Sequence, residues 1–213
     1  MKRTLVPASL LALALALAGC GSTSEPGAST EASPGHSSMS SMSSMGMDHG
    51  SASPSSAAGE HNAADAMFAQ MMIPHHQQAV QMSEIILAKD GMDAPILELA
   101  NKIKAAQGPE IETMTGWLQA WGEPMESGSM DHSMEGMMSE DDMATLQQAQ
   151  GDEAAKLFLT QMIAHHKGAV QMAQKEVAEG SDPEAVALAL AQKVVQDQEA
   201  EIKTMEEMLP AYQ

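Results

Sequence analysis

"MMIPHHQQAVQM", Met71 to Met82, sets two adjacent histidines among methionines, and ninety positions later "QMIAHHKGAVQM", Gln161 to Met172, repeats the pattern. On a helix with steps of about 100° per residue, Phe68, Met72, Ala79 and Ile86 fall within about 40° of one another. That is an apolar stripe fit for burial. His75 and His76 straddle it, and the small Ala79 leaves space beside their rings. Met72 lies three and four positions before the two histidines, the spacings at which helical side chains meet.

The repeat extends well beyond the doublets. Phe68, Ile73, Val80 and Gln81 recur at +90 as Phe158, Ile163, Val170 and Gln171. Downstream, "LANKIKAAQGPEIETM" from Leu99 recurs at +91 as "LAQKVVQDQEAEIKTM" from Leu190. The extra residue falls in a turn, where added length costs little. Two helical hairpins that each carry an apolar stripe bury those stripes most simply against each other. The expected fold is therefore all-α, a four-helix bundle with approximate internal two-fold symmetry.

Caps and breakers place the ends. Asp65 is expected to cap the first helix, with Gly91 after its end. Asp93 caps the second, with Pro95 in its first turn and Gly122 and Pro124 closing it. Ser139 begins a short helix that breaks at Gly151. Asp152 restarts the third long helix, which ends at Gly180, and Asp182 with Pro183 opens the fourth. Hairpin 1 then spans 65–122 and hairpin 2 spans 140–210, within a bundle domain of 61–213. Pro74 and Pro109 fall inside the first hairpin's helices, where the second copy has Ala164 and Ala200. Each proline removes a backbone hydrogen bond and favours a kink.

Lys2 and Arg3 precede an apolar run that closes at "LAGC", ending in Cys20. This is the pattern of a secretory signal over 1–19. "LAGC" resembles the bacterial lipobox, which implies a lipid on Cys20 and attachment to the outer face of the cell membrane, or the periplasmic side in a two-membrane bacterium. Cys20 is the single cysteine of the 213 residues, so no disulfide framework forms within one chain. Losing Lys2 and Arg3 but no acid deepens the net charge of −19 by two. Such a chain repels nucleic acid and attracts cations. Residues 20–60 are rich in Ser, Gly, Pro and Ala and read as a disordered tether.

Soft donors recur outside the helices. The tether carries Met39, Met42, Met45, Met47 and His49, and the linker 123–139 carries Met130, His132 and Met134. Thioether sulfur suits Cu(I), and imidazole suits copper, zinc and iron. Met with His therefore favours copper, with silver as its chemical neighbour and iron or zinc as poorer fits. On the partner helices Gln107, Glu110 and Met114, with Gln198, Glu201 and Met205 in the second copy, face the histidine helix. The two glutamates sit on the shoulder of that face, where a solvated edge and a ligand role are both open. Buried methionine is also ordinary core filler.

The doubled "MI[PA]HH…AVQM" with the downstream "Q..EI.TM" resembles the bacterial family known as domain of unknown function 305, over about Asp65 to Leu209. The resemblance implies an exported, ferritin-like four-helix bundle, with copper binding and tolerance among some members. It implies a metal set of His75, His76, Met72 and Met82 with His165, His166, Met162 and Met172. The reading is a non-enzymatic, lipid-anchored Cu(I) or Ag(I) binder that buffers copper or passes it to a protein partner. Two rivals stand beside it. A ferritin-like redox enzyme would need Glu-x-x-His on single helices, and no Glu lies three residues before any of the four histidines. A metal-independent interaction module would turn the His pairs toward a protein.

Overall fold

The computed structural model describes residues 60–125, 134–180 and 186–213. Among these the regular structure is entirely helical: α1 (Ala63–Leu87), α2 (Ala94–Trp121), α3 (Glu140–Gln148), α4 (Gly151–Glu179) and α5 (Val186–Met208), followed by a 3₁₀ turn at Leu209–Tyr212. The expected all-α fold of duplicated hairpins is observed. The expected signal, the expected lipid-bearing Cys20 and the expected tether up to residue 59 lie outside the described residues, as do Met130, His132, Asp182 and Pro183.

Two helix starts differ from the sequence expectation. Asn62, not Asp65, caps α1: its side chain accepts from the Ala64 and Asp65 backbone N–H groups at 2.6 and 3.2 Å. Asp65 returns the favour by accepting from the Asn62 N–H at 2.6 Å. This reciprocal capping box needs both residues, so the boundary moves three positions upstream. Gln150 occupies the cap position of α4, and Asp152 sits in the first turn with Glu153, where acids favour the helix N-terminus. Elsewhere the ends fall near the expected positions, although Asp93 makes no side-chain cap bond and α3 stops at Gln148, before Gly151, which already belongs to α4. Asp93 precedes α2, Gly122 ends it at φ 74°, and Ser139 forms a capping box with Asp142. Helices α1 and α2 run through Pro74 and Pro109.

The helices α1 and α4 form the central pair, with α2 packed on α1 and α5 on α4. They run antiparallel. Late α1 residues Met82 and Ile86 share a core with early α4 residues Phe158 and Met162. Early α1 residues Phe68 and Met72 share another with late α4 residues Ala169 and Ala173. Each fully buried large apolar side chain contributes about 1.5–3 kcal/mol. Helix α3 closes one end of this pair: Leu146 enters the first core, and Gln161 of α4 donates to the Asp142 carbonyl at 3.2 Å.

The segment before α3 is strapped across the central pair. The Gln78 amide donates to the Met138 carbonyl at 2.9 Å and accepts from its N–H at 2.7 Å. On α4, Gly168 lies under the strap, where any Cβ would overlap the Glu135 carbonyl. Gly136, at φ 85°, rests equally close to α4. Gln78 and Gly168 occupy the same position in the two repeats.

Candidate metal centre

Between the two apolar cores lies a polar layer. His75, His76, His165 and His166 are all 0% exposed. The His75 and His165 rings meet where α1 and α4 cross, with centroids 3.7 Å apart and planes tilted by 39°. His166 flanks them, its ring centroid 6.4 Å from that of His165.

The outer helices hold the second member of each doublet. His76 Nε2 pairs with Glu110 Oε2 at 3.0 Å, and His166 Nε2 with Glu201 Oε2 at 2.9 Å. Each glutamate in turn meets a lysine from the opposite hairpin: Lys193 reaches Glu110 at 3.0 Å, and Lys102 reaches Glu201 at 3.3 Å. Lys102 and Lys193 are repeat equivalents at +91, as are Glu110 and Glu201. The ion pairs therefore cross reciprocally between α2 and α5. The glutamates are not at a solvated edge, since their side chains are only 13% and 6% exposed. Gln107 and Gln198 lie beside them, and together they line a cavity of about 170 Å³ between α2 and α5.

Burial keeps three of these histidines short of protons. Burial pushes His75 down to about 3, helped by the neighbouring charges of His76 and His166 and opposed by the Glu135 backbone. Burial holds His165 well below its usual value, with His75 next in importance. His76 is also lowered by burial, against the pull of its Glu110 hydrogen bond. For Glu110 and Glu201 burial acts upward. Their histidine and lysine partners outweigh it, so both carboxyls stay below the usual range.

Neutral histidines with an Nε2–H donated to a carboxylate carry their lone pair on Nδ1. In His76, held neutral, that Nδ1 is buried without a hydrogen-bond partner, and the His166 Nδ1 is buried without one too. In His75 and His165 neither ring nitrogen makes a well-formed hydrogen bond, although the Glu135 backbone lies near His75 and the His75 backbone near His165. Burying an unpaired polar atom costs about 1–3 kcal/mol. Six such atoms in one layer are a liability for folding alone. Such a set fits a ligand shell for a cation, with Glu110 and Glu201 as the outer partners that orient metal-binding histidines.

Sulfur flanks the layer on both sides. Met72, Met114 and Met172 gather at one apolar core. Met82, Met162 and Met205 gather at the other. Each trio draws from both hairpins, and the repeat exchanges one for the other. Met72 and Met162 stand one turn from their histidines. Met82 and Met172 stand six or seven residues away, about 9–10 Å along the helix. Of the linker donors, Met134 is half-buried at the start of the strap. Among the described residues no three His, Cys, Asp or Glu side chains form a ready cage for an ion. Nitrogen with sulfur, not a shell of hard donors, is what this centre offers.

Sequence reading found the histidines, glutamines and glutamates but not Lys102, Lys193, Gln78 or Gly168. The signal for the lysines was present in the +91 repeat. Their role depends on how α2 and α5 face each other, which the pattern within one helix does not carry.

The comparisons place these features in a family. Residues 65–209 match the model described as Domain of unknown function (DUF305), so the chain belongs to that family. A DUF305 protein of Streptomyces coelicolor is 36% identical, with a TM-score of 0.65 over 70% of this chain and 93% of that one. A DUF305 fragment from Deinococcus radiodurans is 32% identical, with a TM-score of 0.64 over 72% and 99%. CopM in its Cu(I)-bound form is 32% identical, with a TM-score of 0.57 over 70% and 96%. CopM is also similar in its Ag-bound and Cu(II)-bound forms. No curated protein matches the chain.

Proposed function

We propose that this DUF305 protein binds Cu(I), and the chemically similar Ag(I), as cargo outside the cytoplasm for copper buffering, tolerance or transfer. One observation carries the reading: six buried imidazole nitrogens that make no well-formed hydrogen bond, in a layer between two trios of methionines. A soft cation is the guest that satisfies both donor types. The CopM structures with copper and silver support it as the chemistry of a relative.

In this reading His75 and His165 supply ring nitrogens at the helix crossing, and His76 and His166 supply Nδ1. Met72 and Met162 are the nearest thioethers. Glu110 and Glu201 hold the outer imidazoles in the right tautomer and are themselves neutralised by Lys193 and Lys102. Gln107 and Gln198 line the α2–α5 cavity, which offers a route from solvent. The Met/His segments of the tether and linker capture ions first and pass them inward. A lipid on Cys20 keeps the protein at the membrane surface.

The interaction-module rival loses support here, because fully buried histidines offer no contact surface. The test is a Cu(I) titration of the protein against a variant with His75, His76, His165 and His166 changed to alanine. Loss of the tightest site is expected. Equal stoichiometry and affinity in both would remove the histidine layer from the function. Substituting Cys20→Ser should release the protein from the membrane fraction.

A further inference from the structure

The two-fold relation between the hairpins exposes a difference at the two ends of the α1–α4 pair. At one end α3 sits on Gln161 and covers Leu157, with Met82 and Ile86 fully buried beneath. The repeat equivalents at the other end are Met71, Met67, Met172 and Glu176. Among the described residues no helix covers them. A cavity of about 290 Å³ opens there instead, lined by Met67, Phe68, Met71 and Met172, with Lys175, Glu176 and Glu179 at its α4 side.

The donors in this cavity are poorly explained as packing. Met67 is 46% exposed, so it fills no core. Met67 and Met71 are four residues apart and share one face of α1. Met172 approaches from α4. Glu176 is only 2% exposed, and burial with the neighbouring Asp65 carboxyl pushes it up to about 8, so it is neutral near pH 7 and brings no charge to the cavity. Three thioethers from two helices in one cavity form a neutral donor set for a soft monovalent cation.

We propose that this cavity is a second soft-cation site, for Cu(I) or Ag(I), formed by Met67, Met71 and Met172 and separate from the histidine layer. The proposal rests on the soft-metal reading above but on none of its histidines. It gives Met172, too far along α4 to meet His165 or His166 directly, a role of its own.

The experiment uses the full chain with methionine methyls labelled with ¹³C and Ag(I) as the probe, because Ag(I) is diamagnetic and redox-inert. The methyl signals of Met67, Met71 and Met172 are assigned by single changes to leucine. They should shift together along one saturation curve in the otherwise native protein. They should shift equally in the variant lacking His75, His76, His165 and His166. The double variant M67L/M71L should bind one Ag(I) fewer while the histidine ring signals still respond. Methyls that stay still, shift on separate curves, or lose their response when the four histidines are removed would overturn the second site. Still histidine rings with moving methyls would instead defeat the histidine reading and leave this one standing.

Discussion

Hairpin 1 and hairpin 2 are alike where they face each other and unlike where they face anything else. The His doublets, the Glu–Lys crossings and the methionine trios recur in both with nearly the same geometry. The prolines occur in one copy only, and the strap and α3 meet the two copies through different residues. Chemistry sits at the positions that the internal symmetry keeps equal, and positioning sits at those that it does not. The polar layer is thus shared property, built half from each hairpin, and neither half is a site by itself.

Breaking the shared part should have the largest effect. The double change His75→Leu with His165→Leu removes the rings at the crossing and four nitrogens that make no well-formed hydrogen bond. Cu(I) affinity should fall by more than the ~10–100-fold typical of outer-sphere changes at metal sites. Metal-free stability should rise by about 1–3 kcal/mol as apolar atoms replace unpaired polar ones. Competition against a chromophoric Cu(I) chelator and thermal melts read the two quantities. A melt that falls while affinity is unchanged would mean that these rings serve packing only.

The same pair sets the acid response. Both histidines are held neutral in the folded protein, His75 down to about 3, so between that value and about 6.5 the unfolded chain binds protons that the folded one refuses. The penalty they impose on the metal-free fold is smallest above about pH 6.5 and grows progressively as pH falls toward 3. Denaturation midpoints across that window should show the slope, and the double leucine variant should flatten it.

A subtler contrast lies between the two glutamates. Glu201 is the more sheltered, at 6% against 13% exposure for Glu110. Glu201→Gln should weaken Cu(I) by about 10-fold or more, and Glu110→Gln by less, since solvent replaces the lost partner more easily there. Equal losses would say that the two halves of the layer are electrostatically equivalent.

The smallest effects should come from the unshared contacts. Gly168→Ala drives a methyl into the Glu135 carbonyl and should cost about 1–3 kcal/mol. Gln78→Ala forfeits two hydrogen bonds to Met138 and should cost about 1–2 kcal/mol. Urea denaturation resolves both. If alanine at 168 were harmless, the strap would not be docked on α4 in solution.

Much of this centre was legible in the sequence because its signals are local. A doublet of histidines on an apolar stripe is a statement about one helix, and its repetition names the partner. The Lys102–Glu201 and Lys193–Glu110 crossings were hidden because they join helices that are distant in the chain. Helix starts slipped for another reason. Asn62 and Asp65 are both good capping residues, and only the reciprocal bond between them decides which stands outside the helix. Glu110 and Glu201 looked marginal because a wheel gives direction but not depth.

The mismatch at positions 78 and 168 has a bearing on ancestry. A primitive dimer of one hairpin would have carried the same residue twice on its symmetry axis. Two glutamines would have crowded out the close approach of the strap, and two glycines would have offered it no clasp. With one copy as the hook and the other as the hollow, the two hairpins are not interchangeable under the strap.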